Sequence, residues 1–427
     1  MTPTRVRYGV VAFAVALAMI TYLDRACIGA MAPLIRKDLN LSLDDMAMVF
    51  SSFALAYALF EIPTAWWADR RGARTVLARI VVWWSAFTMA TAGAFNHLSM
   101  VVTRFLFGMG EAGAWPCVAR VFARWMPERQ RGTIKGIFFA GAYTAGAVTP
   151  LAVTWLVDEW HVPWRAIFVA FGLIGFVWVA AWWRWFRDDP EEHPAVNAAE
   201  RDLILAGRPA VAPLLRGWPF WRRLLSQRSI IALCVMYVPN CVTFYFCITW
   251  LATYLRERHH FEKTELGFLA SLPLFLSVGT QFLGGWFSDR ITRRHGIALG
   301  RRLPAILGYG LAAVAITIAA SAEAPRTAAL FIALAAAACM LTTAPAWGVV
   351  VDIGREHSAV VGATMNTAGQ IGAIVSPVVV AKSVTWFNDW NFPLYLLGGL
   401  FVIGAACWLF IDPRRPVFGD EEPTRAA

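Results

Sequence analysis

The chain has 427 residues, of which 58% are hydrophobic and only 15% charged, whereas soluble proteins carry about 25% charged residues. So few charges cannot cover the two or three soluble domains that a chain of this length would otherwise form. Disordered, collagen-like and coiled-coil proteins are excluded by the same composition, and a polytopic membrane protein remains. The seven cysteines lack CxxC spacing and the seven histidines lack an HExxH motif, so we predict no disulfide framework and no metal site.

Twelve stretches are long and apolar enough for membrane-spanning helices, which need about 20 residues each. In chain order they are 8–33, 46–68, 75–96, 98–122, 133–157, 164–186, 229–255, 264–288, 302–321, 325–350, 357–381 and 390–411. The loops between them are short except 187–228, which is rich in proline and mixed charge. We therefore predict an all-α integral membrane protein with an amino-terminal six-helix bundle (1–187), a cytoplasmic linker (188–228) and a carboxy-terminal six-helix bundle (229–427).

The distribution of basic residues predicts the orientation of these spans. Placing both termini in the cytoplasm puts most of the 38 lysines and arginines on the inner side. This bias accounts for the net charge of +10, so no nucleic-acid partner is expected. A multi-pass protein of a bacterial-type cytoplasmic (inner) membrane, present as a monomer, is the expected form.

The two halves of the chain contain an internal repeat. The segments Trp66–Arg70 and Trp286–Arg290 share a Trp-x-[Ala/Ser]-Asp-Arg pattern about half the chain apart. The fifth and eleventh spans repeat a Gly, Gly, Pro pattern at nearly the same offset: Gly136, Gly146 and Pro150 against Gly362, Gly372 and Pro377. Two parallel six-helix halves are the expected product of such a repeat.

The segment 65–74 resembles the Gly-x-x-x-Asp-Arg-x-Gly-Arg-Arg loop signature of the major facilitator superfamily, with Ala65 in place of the usual glycine. Further segments resemble the anion:cation symporter family, which includes sugar-acid and phthalate carriers, sialin and the vesicular glutamate transporters. These segments are Tyr22–Ala26, Tyr57–Pro63, Gly108–Ala112, Ala123–Pro127, Arg131–Gly132 and Arg187–Pro194. The resemblance implies two six-helix bundles around one central site that opens alternately to each side of the membrane.

Charged residues inside the predicted spans are concentrated in the first half: Asp24, Arg25, Glu61, Arg104 and Glu111. Each costs about 3 kcal/mol or more at mid-bilayer, so such residues face the protein interior and mark function. The second half offers neutral polar side chains instead, namely Tyr237, Asn240, Tyr245, Thr342, Thr343, Asn366, Thr367 and Gln370. A charged wall and a neutral polar wall together suit a polyhydroxylated organic anion.

Arg104 and Glu111 lie seven residues apart on the fourth span, which places them on one helix face but about 10 Å apart along the axis. They are too distant to pair directly, so each is expected to pair with Asp24 or Arg25 on the first span. Because arginine keeps its charge in a protein, Arg25 and Arg104 are predicted to attract anions. The alternative interpretation is a set of fixed ion pairs that hold the two helices together.

The family resemblance implies a role for each of these residues. Arg25 binds the substrate carboxylate, Asp24 and Glu111 carry the coupled proton, and Arg104 adjusts their charge state. Glu61 stands where the family usually has glutamine, and it is either a third proton site or, the interpretation we favour, a charge exposed to the inner vestibule.

The resemblance also implies further contacts. Tyr22 and Tyr57 match positions that line the cavity, and Asn366 matches one that contacts the polar end of the substrate, although packing roles remain an alternative for all three. The threonines Thr342 and Thr343 are additional candidates for substrate binding. The resemblance further implies that the loop residues Asp69, Arg70, Asp289 and Arg290 latch one conformational state.

The sequence therefore predicts a secondary active transporter that takes up an organic anion with protons. A sugar acid such as a hexonate or hexuronate is the predicted substrate. Bulky or apolar residues on the fifth span, including Phe139 and Tyr143, keep an aromatic or dicarboxylic acid as an alternative. No nucleophile–base spacing or phosphate-binding loop indicates an enzyme, and no loop is large enough for the output domain of a sensor. The expected partners are the substrate, protons and the lipid bilayer, without a cofactor.

Overall fold

The computed structural model describes residues 2–205 and 218–417. Within those ranges the fold is all-helical, apart from loops and two short 3₁₀ turns. The helices are α1 (Val6–Leu39), α2 (Leu43–Arg71), α3 (Ala73–Thr91), α4 (His97–Glu111), α5 (Ala114–Trp125), α6 (Glu128–Asp158), α7 (Trp164–Trp185), α8 (Ala198–Leu205), α9 (Trp218–Ser226), α10 (Arg228–Thr249), α11 (Leu251–His259), α12 (Lys263–His295), α13 (Ile297–Ser321), α14 (Pro325–Met340), α15 (Thr343–Gly354), α16 (Ser358–Phe387) and α17 (Phe392–Cys407).

All twelve predicted spans fall on helices, and the predicted fold class is confirmed. In the described part of the chain, nine helical stretches are long and apolar enough to cross a membrane, and Phe392–Cys407 is a shorter apolar helix. Three predicted spans are interrupted: 98–122 between α4 and α5, 229–255 between α10 and α11, and 325–350 between α14 and α15. At the last break the N–H groups of Leu341 and Thr342 bond three residues back, which tightens the chain into a 3₁₀ turn.

The chain divides into two compact units. The first contains Met1–Ala210 together with Ile248–Ser271, and the second contains Val211–Cys247 together with Leu272–Ala427. The sequence-based boundaries at 187 and 229 follow the six-helix repeat, and they stay a prediction.

In the first unit, α1 packs against α6, α2 against α4, and α3 against α7. A glycine lets α2 and α4 approach closely, because a Cβ at Gly108 would lie only 2.5 Å from the backbone oxygen of Phe53. Small residues commonly permit such contacts between membrane helices. The contact brings Glu111, one turn beyond Gly108, into the interior of the unit.

The segment Ile248–Ser271 packs onto α1 and α2 of the first unit. Gly29 faces the backbone carbonyl of Ile248 with no room for a side chain. Phe50 and Trp250 meet edge to face with their ring centroids 5.3 Å apart, and Arg36 forms an ion pair with Glu257. The close backbone contact explains why glycine is required at this point of α1.

Acidic side chains of the predicted linker bind the ends of helices in the first unit. Asp188 accepts the N–H of Arg74 at the start of α3, at 3.0 Å. Glu200 on α8 accepts the N–H groups of Val6 and Arg7 at the start of α1, and it pairs with the Arg7 guanidinium at 2.8 Å. Negative charge at a helix amino terminus is favoured by the helix dipole, so these acids hold residues 188–205 against the unit.

Candidate functional site

Four ionisable side chains lie buried together in the first unit, on α1 and α4. They are Asp24, Arg25, Arg104 and Glu111, and none is more than 6% exposed. Burying a charge is costly unless partners compensate it, so the partners of each side chain determine what the cluster can do.

Arg25 and Glu111 form an ion pair. The Arg25 Nε donates to the Glu111 Oε1 at 2.5 Å, which is one of the pairings that the spacing on α4 predicted. The Glu111 Oε2 is buried and has no hydrogen-bond partner in the described part of the chain. Aromatic rings surround the guanidinium, with the Arg25 Cζ 4.8 Å from the ring centroid of Tyr57 and 5.2 Å from that of Phe53.

Asp24 and Arg104 are neighbours without a direct bond. Both Asp24 carboxylate oxygens are buried, and neither is ion-paired within residues 2–205 and 218–417; the charges of Glu111 and Arg104 and the Thr88 hydroxyl act on this carboxylate. The Arg104 Cζ lies 4.1 Å from the ring centroid of Phe107, and its Nε and Nη1 make no hydrogen bond within the described residues. Arg104 therefore keeps unused hydrogen-bonding capacity in the interior of the unit.

Aromatic side chains extend the site beyond Arg25. The ring centroid of Tyr22 lies 5.6 Å from that of Tyr143 and 6.0 Å from that of Trp115. Trp115 in turn stacks on Phe139 at 5.9 Å. Trp115 was not predicted from the sequence, although an aromatic residue four positions after Glu111 was the available signal. Glu61 lies partly buried on α2, within electrostatic range of Arg25.

The second unit contains a neutral hydrogen-bonded network. The Asn240 Nδ2 donates to the Thr342 Oγ1 at 2.9 Å and approaches the Thr343 Oγ1 at 3.3 Å. The Tyr309 hydroxyl contacts the Asn240 Oδ1 and the backbone oxygen of Met236. Asn240, Thr342 and Tyr309 are buried, whereas Thr343 is partly exposed. Tyr309 was not predicted, because a tyrosine in an apolar helix carries no functional pattern.

Two amide side chains lie on one face of α16. Asn366 and Gln370 are four residues apart and partly exposed, a spacing that places them one above the other on a helix. The Gln370 Oε1 is buried and has no hydrogen-bond partner among the described residues. Asn366 was predicted as a site residue, and Gln370 adds a second amide beside it.

Comparison with known proteins identifies the family. A family model described as "Major Facilitator Superfamily" matches residues 14–377 and again residues 264–426. The chain belongs to the major facilitator superfamily. Two overlapping matches fit the internal repeat, and the predicted family is confirmed. As a superfamily member, this carrier is a multi-pass membrane transporter and not an enzyme.

The chain is similar along nearly its whole length to proteins named as probable transporters. It is 32% identical to a probable sulfoacetate transporter of Cupriavidus necator, over 94% of this chain and 93% of that protein. It is 29% identical to a probable galactarate/D-glucarate transporter of Escherichia coli K12, over 95% and 94% of the two chains. The crystal structure of a bacterial homologue of the human lysosomal transporter Spinster, inward-facing and unoccupied, shares the fold with a TM-score of 0.77. Its sequence identity is 18%, over 96% of this chain and 97% of that one.

The structure describes the side chains of only two of the four predicted latch residues of this facilitator, Asp289 and Arg290. Asp69 and Arg70 fall in the last turn of α2, and their side chains lie outside the described part of the structure. The second copy of the loop motif is the segment Trp286–Arg290. There the Arg301 Nη1 lies 3.5 Å from the Asp289 Oδ1, and the Arg301 Nε donates to the Asp352 Oδ2 at 2.8 Å. The Arg290 Cζ lies 5.4 Å from the ring of Trp286. The latch role of all four residues stays a prediction.

Proposed function

We propose that this facilitator takes up a carboxylate-bearing organic anion together with protons, across a bacterial cytoplasmic membrane with both of its termini inside. The observation that carries the proposal is the buried cluster of Asp24, Arg25, Arg104 and Glu111, in which the Glu111 carboxylate is ion-paired and the Asp24 carboxylate, among the described residues, is not. A set of purely structural ion pairs would instead satisfy both carboxylates.

Arg25 is the proposed anchor for the substrate carboxylate. Its guanidinium can hold a carboxylate through two parallel hydrogen bonds, and it carries charge throughout the transport cycle. Glu111 occupies the Nε of Arg25 while it is ionised. A proton on Glu111 removes its negative charge and weakens this ion pair, so that the substrate carboxylate can pair with Arg25 instead. Substrate binding is thereby coupled to proton uptake.

Asp24 is the proposed second proton site. Its carboxylate is buried and has no ion pair within the described residues, so a bound proton would lower the cost of burying its charge. Arg104, packed on the ring of Phe107, supplies the fixed positive charge next to it. Glu61 is partly buried, and we assign it to the inner vestibule.

A sugar acid, such as a hexonate or hexuronate, is the proposed substrate. The second unit supplies neutral donors and acceptors that suit hydroxyl groups, among which Thr343, Asn366 and Gln370 are partly exposed. A probable galactarate/D-glucarate transporter is among the relatives. Tyr22 and Tyr57 flank Arg25, where a ring or carbon chain attached to the carboxylate would lie.

A smaller or aromatic acid is the second candidate. The wall near Arg25 is bulky and aromatic, because the rings of Trp115 and Phe139 stack and Tyr143 lies next to Tyr22. Such a wall offers few hydrogen bonds to the hydroxyl groups of a sugar. A compact acid with two anionic groups would suit such a wall, and a relative at 32% identity is named a probable sulfoacetate transporter.

Uptake into proteoliposomes tests both the coupling and the substrate. With an inward proton gradient, the purified carrier should accumulate a labelled hexonate above its external concentration, and a protonophore should abolish the accumulation. Accumulation that persists in the presence of the protonophore, or that is driven by a sodium gradient, contradicts proton coupling. Competition by unlabelled hexuronate, galactarate, sulfoacetate and phthalate then ranks the substrate classes.

A further inference from the structure

The short helix α9 has three distinct faces. Phe220 and Leu224 are buried, whereas Trp218, Trp221 and Leu225 are 75%, 43% and 49% exposed. At about 100° per residue, the three exposed residues form one stripe about 60° wide, next to the buried face. Three large apolar side chains in one stripe are unusual on a helix that faces water.

Basic residues lie beyond the apolar stripe. Arg222 and Arg223 are exposed on the remaining part of α9, and the exposed Arg228 follows at the start of α10. The stretch 218–228 contains no acidic residue. Around the helix axis, the protein-facing side is thus followed by the apolar stripe and then by positive charge.

The helix α9 lies directly before a predicted membrane span. Only Gln227 separates α9 from α10, and the predicted span 229–255 begins two residues later. The backbone N–H of Gln227 donates to the backbone oxygen of Leu224, and the backbone oxygen of Gln227 accepts the N–H of Ile230. Backbone hydrogen bonds therefore continue across the connection between α9 and α10. The Phe220 ring also packs on His357, with centroids 5.6 Å apart. These contacts keep α9 next to the first turn of α10 and to His357.

We propose that α9 is an interfacial helix that binds the anionic phospholipids of the leaflet on the predicted cytoplasmic side. Trp218, Trp221 and Leu225 lie among the outer acyl-chain carbons, and Arg222, Arg223 and Arg228 contact lipid phosphates. Interfacial helices combine an apolar face containing tryptophan with a basic polar face, and basic residues next to a membrane span attract anionic lipids.

Lipid binding at α9 acts on the second unit directly. The helix leads into α10 through one residue, and Phe220 contacts His357, next to the first residue of α16. Anchoring of α9 in the headgroup region therefore holds the adjacent ends of α10 and α16 in place. The transport rate is expected to depend on the anionic lipid content of the membrane.

Site-directed spin labelling of the full-length carrier in vesicles tests the location of the stripe. We compare a nitroxide on Leu225→Cys with one on Leu203→Cys, an exposed leucine of the acidic helix α8. The unsubstituted carrier, whose described cysteines are buried or partly buried, is treated identically to give the background signal. The label at 225 should be accessible to oxygen and protected from a water-soluble nickel complex, and the label at 203 should show the reverse. Equal nickel accessibility at both positions overturns the proposal and indicates a water-facing stripe that awaits a protein partner.

The second arm tests the lipid headgroups. Uptake by the unsubstituted carrier should rise about threefold when phosphatidylglycerol replaces part of the phosphatidylcholine. The double variant Arg222→Gln/Arg223→Gln should lose this rise. The control is Arg414→Gln/Arg415→Gln, a pair of adjacent exposed arginines that already contact Asp412, and it should keep the rise. A response lost in both variants, or kept in both, overturns the assignment of the arginines to headgroups.

Discussion

The central polar clusters of the two units differ in charge and in hydrogen bonding. In the first unit, α1 and α4 bury a cluster of four charged side chains, and Arg104 and Glu111 each retain atoms without a hydrogen-bond partner among the described residues. In the second unit, Asn240 is bonded at both ends of its amide, to Thr342 and Tyr309. A satisfied network stabilises one arrangement, whereas unsatisfied buried groups are costly and are kept where chemistry uses them. The two halves of the repeat thus share a helical pattern but differ in their buried polar residues, which give them different roles.

The largest expected effect is the loss of uphill transport in Glu111→Gln. The glutamine oxygen still accepts the Arg25 Nε–H, so the variant resembles the permanently protonated carrier. Substrate should bind and exchange across the membrane, but accumulation driven by a pH gradient should vanish, because the carrier cannot release the proton. Binding is measured by isothermal titration calorimetry and accumulation in proteoliposomes.

The control for this variant is Glu61→Gln, the same substitution at a partly buried carboxylate on α2, which should retain accumulation. If Glu111 only neutralises Arg25, its removal leaves a buried charge unpaired. That loss typically costs about 3–5 kcal/mol and lowers thermal stability. A stable Glu111→Gln carrier that still concentrates substrate removes this residue from coupling and leaves Asp24 as the candidate.

The second prediction concerns affinity and the substitution Arg25→Lys. Lysine keeps the positive charge but loses the planar fork that binds a carboxylate through two bonds. We expect the substrate Kd to rise at least tenfold, about 1.4 kcal/mol, with the melting temperature nearly unchanged. A Kd close to that of the unsubstituted carrier contradicts the anchor role, as does a loss of binding that only accompanies unfolding.

The third prediction addresses the neutral network, through Tyr309→Phe. Phenylalanine preserves the ring but removes the hydroxyl that contacts Asn240 and Met236. An unsatisfied buried acceptor costs about 1–3 kcal/mol of folding free energy, so thermal stability should fall while the substrate Kd stays constant. A carrier with unchanged stability and weaker binding would instead place Tyr309 in the substrate site.

The sequence predicted what depends on composition and helical period. Apolar runs located all twelve spans, and the seven-residue spacing on α4 predicted that Glu111 pairs with another helix, which is realised at Arg25. It did not predict the break after α4, Trp115 or the bond from Tyr309 to Asn240. Those features depend on which helices approach one another, and hydropathy along a single helix carries no such information.

The smallest expected effect separates two adjacent threonines of the second unit. Thr342 is fully buried and bonded to Asn240 and to the backbone oxygen of Cys339, whereas Thr343 is partly exposed. Thr343→Val should therefore raise the Kd of a hydroxylated substrate about threefold, the loss of one neutral hydrogen bond, without lowering the melting temperature. Thr342→Val should do the reverse, because valine leaves the Asn240 amide without its closest acceptor. Equal effects of the two variants on Kd would mean that the buried network takes part in substrate binding, and the proposed division between a structural Thr342 and a substrate-binding Thr343 would fail.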